Sequence, residues 1–224
     1  MKRVLDQLGF EGGAIEAVRV DDVPGNPRFY LVRSESALAD FVDPGDEAML
    51  YGEAAFATEA DLRVAFLNAA RNMRWSHVRR CTGWCGYVIL DTAERVREAL
   101  ERLRGEEAFP KWHCQEASVA LALALKRRGY QAIVLEGSFQ LDRPLGLEAS
   151  EPNEVVDEAA HWWVDVDGLW VDITADQFAE YVTDQLPGVY LLPAGAAGKY
   201  APHGPAETAE YETDDLVQAV LSEL

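Results

Sequence analysis

The sequence predicts an α+β fold, and three observations carry that prediction. Residues 116–128 are almost all strong helix formers and apolar on nearly every side, which marks a buried helix. Two apolar runs flank Asp167-Gly168, a dipeptide that signals a tight β-hairpin. The first fifty-odd residues carry short strand signals that read as a small β-containing layer. With 224 residues, 49% of them hydrophobic, the chain is long enough for a sizeable core. The expected organisation is an N-terminal layer over 1–56 and a core over 57–224, either as two bodies or as one continuous domain.

Taken in order, Ile15–Val20 and Arg28–Arg33 read as strands separated by the turn Pro24-Gly25-Asn26-Pro27. Thr58 with Asp61 forms a capping box, and Leu62, Ala65, Phe66 and Ala69 follow at helical spacing. His77–Gly86 lacks clean periodicity and reads as a loop entering a strand at Tyr87-Val88-Ile89-Leu90. Asp91 with Glu94 opens a second helix lined by Val96, Leu100 and Leu103 and ended by Gly105. The buried helix ends at Gly129, and Tyr130–Glu136 follows as a strand. Gly137 to Ala159 is rich in Glu, Pro and Gly and too long for a plain connection, so it reads as a lid or substrate-contact segment. After the hairpin, Thr174 with Gln177 makes another capping box opening a helix through Val182. Pro187 to Ala209 reads as loop, and Asp214–Leu224 as a short helix with Leu216, Val220 and Leu224 on one side.

Composition excludes several functions. No run of about 18 apolar residues exists to span a membrane. Met1-Lys2-Arg3-Val4-Leu5-Asp6 places an acid where a signal peptide needs its apolar stretch, so the expected residence is cytoplasmic. Twenty basic against 39 acidic side chains give a net charge of −19, which repels a phosphate backbone and argues against nucleic acid as a partner. From Pro144 to the C-terminus there are seventeen acidic residues and one basic, Lys199. Three cysteines, Cys81, Cys85 and Cys114, are too few and too odd in number for a disulfide framework.

The hairpin supplies a geometric expectation. With Asp167 and Gly168 as the turn, Val166 pairs with Leu169, Trp163 faces Asp172 and His161 faces Thr174. Alternation then places His161, Trp163, Asp172 and Thr174 on one face. His161 and Asp172 become diagonal neighbours about 7–8 Å apart at Cα, within reach of an imidazole–carboxylate hydrogen bond. A one-residue slip would send Asp172 to the other face. Cys114 lies at the first turn of the buried helix, where free N–H groups and the helix dipole favour a thiolate. The expected triad is Cys114 as nucleophile, His161 as its base and acid, and Asp172 as the group that orients the ring. Candidates for the oxyanion or substrate contacts are the backbone N–H of Cys114, His113, Gln115, Trp84 and Trp163.

Cys114 opening a helix with Ser118 one turn on, His161-x-Trp163, and Asp172-x-Thr174 after a hairpin together resemble the transglutaminase-like branch of the papain-like cysteine enzymes. The resemblance covers roughly Trp112 to Phe178 and rests on three short motifs. It implies a papain/transglutaminase-like core, with the nucleophile helix packed on an antiparallel sheet. The chemistry it implies is that of a hydrolase or acyltransferase working through a thioester: peptide cleavage as in a cysteine protease, glutamine deamidation, transamidation or acyl transfer. The partner is then a peptide or protein amide substrate, and no cofactor is required. One departure stands out, because the family commonly has glycine two residues before the nucleophile and this chain has Trp112, which crowds the approach to the thiol. The first hundred residues match nothing in the family and leave the substrate open.

Two other classes stay open on the sequence. One is a non-catalytic acidic binding protein with a vestigial triad. The other is a zinc-stabilised structural protein using His77, Cys81 and Cys85 with Cys114 or His113 as the fourth ligand, although structural zinc sites usually use tighter Cys-x-x-Cys knuckles.

Overall fold

The structure, a computed structural model, describes residues 2–10, 13–21, 28–35, 56–70, 78–83, 86–105, 109–143, 158–195 and 198–224. It is a mixed α and β protein with two antiparallel sheets, in agreement with the α+β class. The chain divides into two compact units, Met1–Asp91 and Thr92–Leu224. No helix among the described residues is long and apolar enough to cross a membrane.

In the first unit, β1 (Lys2–Phe10), β2 (Gly13–Val20), β3 (Arg28–Glu35) and β4 (Val78–Gly83) form a sheet in the order β3-β2-β1-β4. Helix α1 (Glu59–Ala70), placed by the sequence in the core, packs on β2 and β3 of this unit. Its capping box is present, with the Asp61 N–H donating to Thr58 Oγ1 at 3.1 Å and the Thr58 hydroxyl to Asp61 Oδ2 at 2.7 Å. Two expectations are corrected here. Val78–Gly83 is a strand rather than a loop, pairing with β1 so that Cys81 stands opposite Leu8. Tyr87–Leu90 is not a strand but the first turn of helix α2 (Tyr87–Arg104). The buried Asp6 carboxylate accepts the Gly86 N–H at 2.8 Å, a partner eighty residues away that no local pattern reveals. Helix α2 buries Ile89, Ala93, Val96 and Leu100, one helical stripe that the contiguous Val88-Ile89-Leu90 run disguised. The Pro24–Pro27 turn lies outside the described residues.

The second unit is built on the buried helix α3 (Cys114–Arg127), which packs on β5 (Ala132–Gln140) and β6 (Glu158–Val166). Leu121 and Leu125 on its inner face are fully buried, worth about 2 kcal/mol each in apolar transfer. With β7 (Leu169–Asp172), β8 (Tyr190–Pro193) and β9 (Tyr200–Pro205), the sheet order is β8-β7-β6-β5-β9, antiparallel throughout. The hairpin has the expected register: Val166 pairs with Leu169, Asp165 with Trp170 and Val164 with Val171. Asp167 (φ 49°) and Gly168 (φ 78°) are both left-handed, as a two-residue turn matching strand twist demands.

Three segments depart from expectation. Residues 137–140 continue β5 rather than opening the long loop, of which 144–157 lie outside the described residues. Thr174 opens a short 3-10 helix, Ala175–Phe178, with no side-chain cap, because its hydroxyl is used elsewhere. The expected 187–209 loop holds β8 and β9. Their prolines suppress the strand signal, yet both are edge strands, where a missing N–H is tolerated. The C-terminus forms α4 (Ala209–Glu212) and α5 (Asp215–Glu223). Asp214 caps α5, which buries Val217, Val220 and Leu221 rather than Leu216 and Leu224.

Candidate active site

Three elements of the second unit converge. Helix α3 presents Cys114 as its first residue, and no side chain caps that helix end. Strand β6 carries His161, and β7 ends in Asp172. Because the hairpin register holds, His161 Nε2 lies 2.6 Å from Asp172 Oδ2, and both residues are buried. The Cys114 thiol lies close enough to the same imidazole to help hold its charge. With Nε2 taken by Asp172, Nδ1 is the ring nitrogen outside the ion pair. The three residues singled out from the sequence are therefore brought together.

The electrostatics follow from burial and pairing. Burial alone would disfavour a charged imidazole, but Asp172 outweighs it, and with the Cys114 contact it raises His161 from 6.5 to about 9. Burial likewise opposes ionisation of Asp172, and the His161 charge together with its hydrogen bonds holds that carboxyl below its ordinary value. Both shifts favour the imidazolium–carboxylate form of the pair.

Asp172 is unusually well satisfied. Oδ1 accepts the Thr174 N–H at 2.8 Å and the Thr174 hydroxyl at 3.1 Å, while Oδ2 accepts the Tyr200 hydroxyl at 2.7 Å in addition to His161. Thr174, read as a helix cap, thus acts through Asp172. Tyr200 was not legible in the sequence, since it sits on the proline-bearing edge strand β9. Phe139 and Phe178 meet the His161 ring edge-on at 5.9 and 5.0 Å, which keeps water from the ion pair. Tyr200→Phe should weaken the carboxylate and, through it, the imidazolium. The expected outcome is a loss of about 1–3 kcal/mol in urea unfolding and an alkaline limit of amide turnover shifted to lower pH.

The remaining candidates are dispersed. Trp163 is fully buried, 6.0 Å from the His161 ring and 5.0 Å from Tyr200, and its indole Nε1 has no hydrogen-bond partner among the described residues. The His113 ring stacks on Phe109 and points Nδ1 toward Glu116 Oε1 at 3.5 Å. Gln115 is the second residue of α3 and half-buried. Trp84, His77 and Cys85 lie outside the described residues, as does the side chain of Cys81.

Two contributors were missed. Gln177, read only as part of a capping box, accepts the Trp112 N–H at 3.2 Å and sets its amide nitrogen 3.3 Å from His161 Nδ1, longer than an ordinary hydrogen bond. Trp112 does not crowd the thiol as its size suggests: it is 65% exposed, with its backbone at φ 64°. Glycine adopts that conformation freely and a bulky residue rarely does. Arg97 of α2 anchors the turn after β7, reaching the Ile173 and Gly188 carbonyls at 2.9 and 2.6 Å and both oxygens of Asp176 at 2.8 and 2.7 Å. One arginine among four on an amphipathic helix gave no sign of this role. Comparison of the chain with protein-family models, curated proteins and solved structures returned no match.

Proposed function

We propose that the protein is a cysteine-dependent enzyme that acts on amide or peptide bonds through a thioester, on a core of the papain/transglutaminase type. The observation that carries the reading is the half-buried Cys114 at the uncapped N-terminus of α3 beside the buried His161–Asp172 pair. An imidazolium beside the sulfur and the free N–H groups of the helix end both favour the thiolate. The thiolate attacks the amide carbonyl carbon, a C–S bond forms, and the carbonyl electron pair moves onto oxygen. The first N–H groups of α3 can receive that oxyanion. As the C–N bond breaks, His161 gives its proton to the departing amine and the thioester remains. Water or an amine then attacks the thioester carbonyl, His161 takes the nucleophile's proton, and the thiolate leaves. Asp172 holds the ring throughout and stays ionised.

The test is alkylation of the full chain by iodoacetamide against pH, with the modified residue assigned by mass spectrometry. Cys114 is expected to react selectively near pH 6, and His161→Ala to bring its rate down to that of an ordinary thiol. Labelling that rises only near pH 8.5, on any cysteine, would exclude the reading. Substrate turnover carries its own signature. Amine departure needs the His161 proton, so kcat/KM for an amide should fall as pH rises through about 9.

A further inference from the structure

Beside the triad lies a cavity of about 120 Å³ lined by Lys111, Trp112, Gln177, Phe178 and Tyr181. Three independent features of its lining point to a ligand. Trp112 holds a left-handed backbone that costs roughly 1–3 kcal/mol in a residue other than glycine, and it exposes most of its indole there rather than burying it. Lys111 is exposed, and among the described residues no carboxylate pairs with it, in a chain whose net charge is −19. Gln177 has its carbonyl committed to the Trp112 N–H, and a protonated Nδ1 cannot accept from its amide N–H groups, so a donor is available toward the cavity. An ammonium and an amide donor between two aromatic side chains recognise a carboxylate carried on a short apolar stem. Gln177 and the two-residue step from Trp112 to Cys114 join this cavity to the reacting centre.

We infer that this cavity is the specificity pocket for the acyl donor and that it takes an acidic side chain, glutamate, next to the scissile carbonyl. The inference rests on the thioester reading above for its connection to chemistry. Lys111 and Gln177 meet the carboxylate, and the Trp112 and Tyr181 rings flank the stem. The acidic field of the whole molecule works against an anion, so the selectivity must come from Lys111 locally.

The probes are peptidyl acyloxymethyl ketones with Glu, Gln or Lys beside the ketone, their rates of Cys114 modification compared on the full chain. The Glu reagent should react about tenfold faster than the Gln reagent, with Lys slowest. Lys111→Glu should reverse the Glu and Lys order. Trp112→Gly should slow the Glu reagent without lowering the unfolding midpoint, since it also relaxes the backbone. Equal rates for the three reagents, or a preference for Lys as the overall field would give, overturn the pocket while iodoacetamide selectivity keeps the nucleophile. Should Cys114 prove inert to every reagent, the thioester reading falls. The pocket is then decided by calorimetric binding of the Glu and Lys peptide amides to the Cys114→Ser protein. Preference for Glu that is lost in Lys111→Glu supports it, and no preference overturns it.

Discussion

Asp172→Ala should unfold about 3–5 kcal/mol more easily than the parent chain in urea, and its Cys114 alkylation near pH 6 should drop on the order of a hundredfold. The carboxylate is buried and accepts from four donors, His161 Nε2, the Tyr200 hydroxyl, and the N–H and hydroxyl of Thr174. Removing it strands all four in an apolar shell and leaves the imidazole without its counter-charge. Asp172→Asn separates the two effects. It keeps the shape and most of the hydrogen-bonding capacity, so stability should recover in large part while reactivity stays low, because an amide cannot stabilise the imidazolium. Recovery of both would mean that Asp172 is a packing residue only. The sign of the pH dependence is set by the same pair. His161 is raised from 6.5 to about 9, so the stabilisation is complete below pH 6.5 and disappears as pH climbs through about 9. Asp172 is depressed, so its share is complete above the ordinary carboxylate value and is lost as pH falls through its lowered one. In Asp172→Ala the loss of stability between pH 6.5 and 9 should be shallower than in the parent.

Gly137→Ala should be nearly as damaging, although it touches no charged group. Gly137 stands opposite His161 on β6 and opposite Pro202 on β9. A Cβ there would lie 2.7 Å from the Trp163 ring and 2.9 Å from the Pro202 Cα, with the Ala201 carbonyl oxygen nearer still. Two of these neighbours are backbone and cannot step aside, so β9 must shift. Because β9 carries Tyr200, the shift reaches the Asp172 carboxylate. The expected outcome is a loss of about 1–3 kcal/mol or more in unfolding, together with the shift in the alkaline limit expected of Tyr200→Phe. A fully stable, fully reactive Gly137→Ala protein would show that β9 and Tyr200 do not position the site.

These two positions mark how far the sequence could be read. Asp172 was found because a hairpin is a local object: two turn residues set the register, and alternation then decides which side chains share a face. Cys114 was found because a helix start is also local. The strands through Gly137 and Tyr200 were not, because β9 is an edge strand whose prolines and glycine look like loop until it pairs with β5. The same reason hid the first turn of α2, whose leading Gly86 N–H is met by Asp6 across the sheet of the first unit.

The sequence by itself determined the helix that presents Cys114, the Asp167-Gly168 hairpin and the pairing of His161 with Asp172, since each depends on residues no more than about a dozen apart. Only the tertiary structure decided that the sulfur lies near that imidazole, that Tyr200 completes the carboxylate's shell, and that Gln177 ties the left-handed Trp112 to the edge of the site. Those contacts join residues far apart in the chain. Their partners are chosen by packing and by the need to satisfy buried polar groups, neither of which leaves a periodic mark on the sequence.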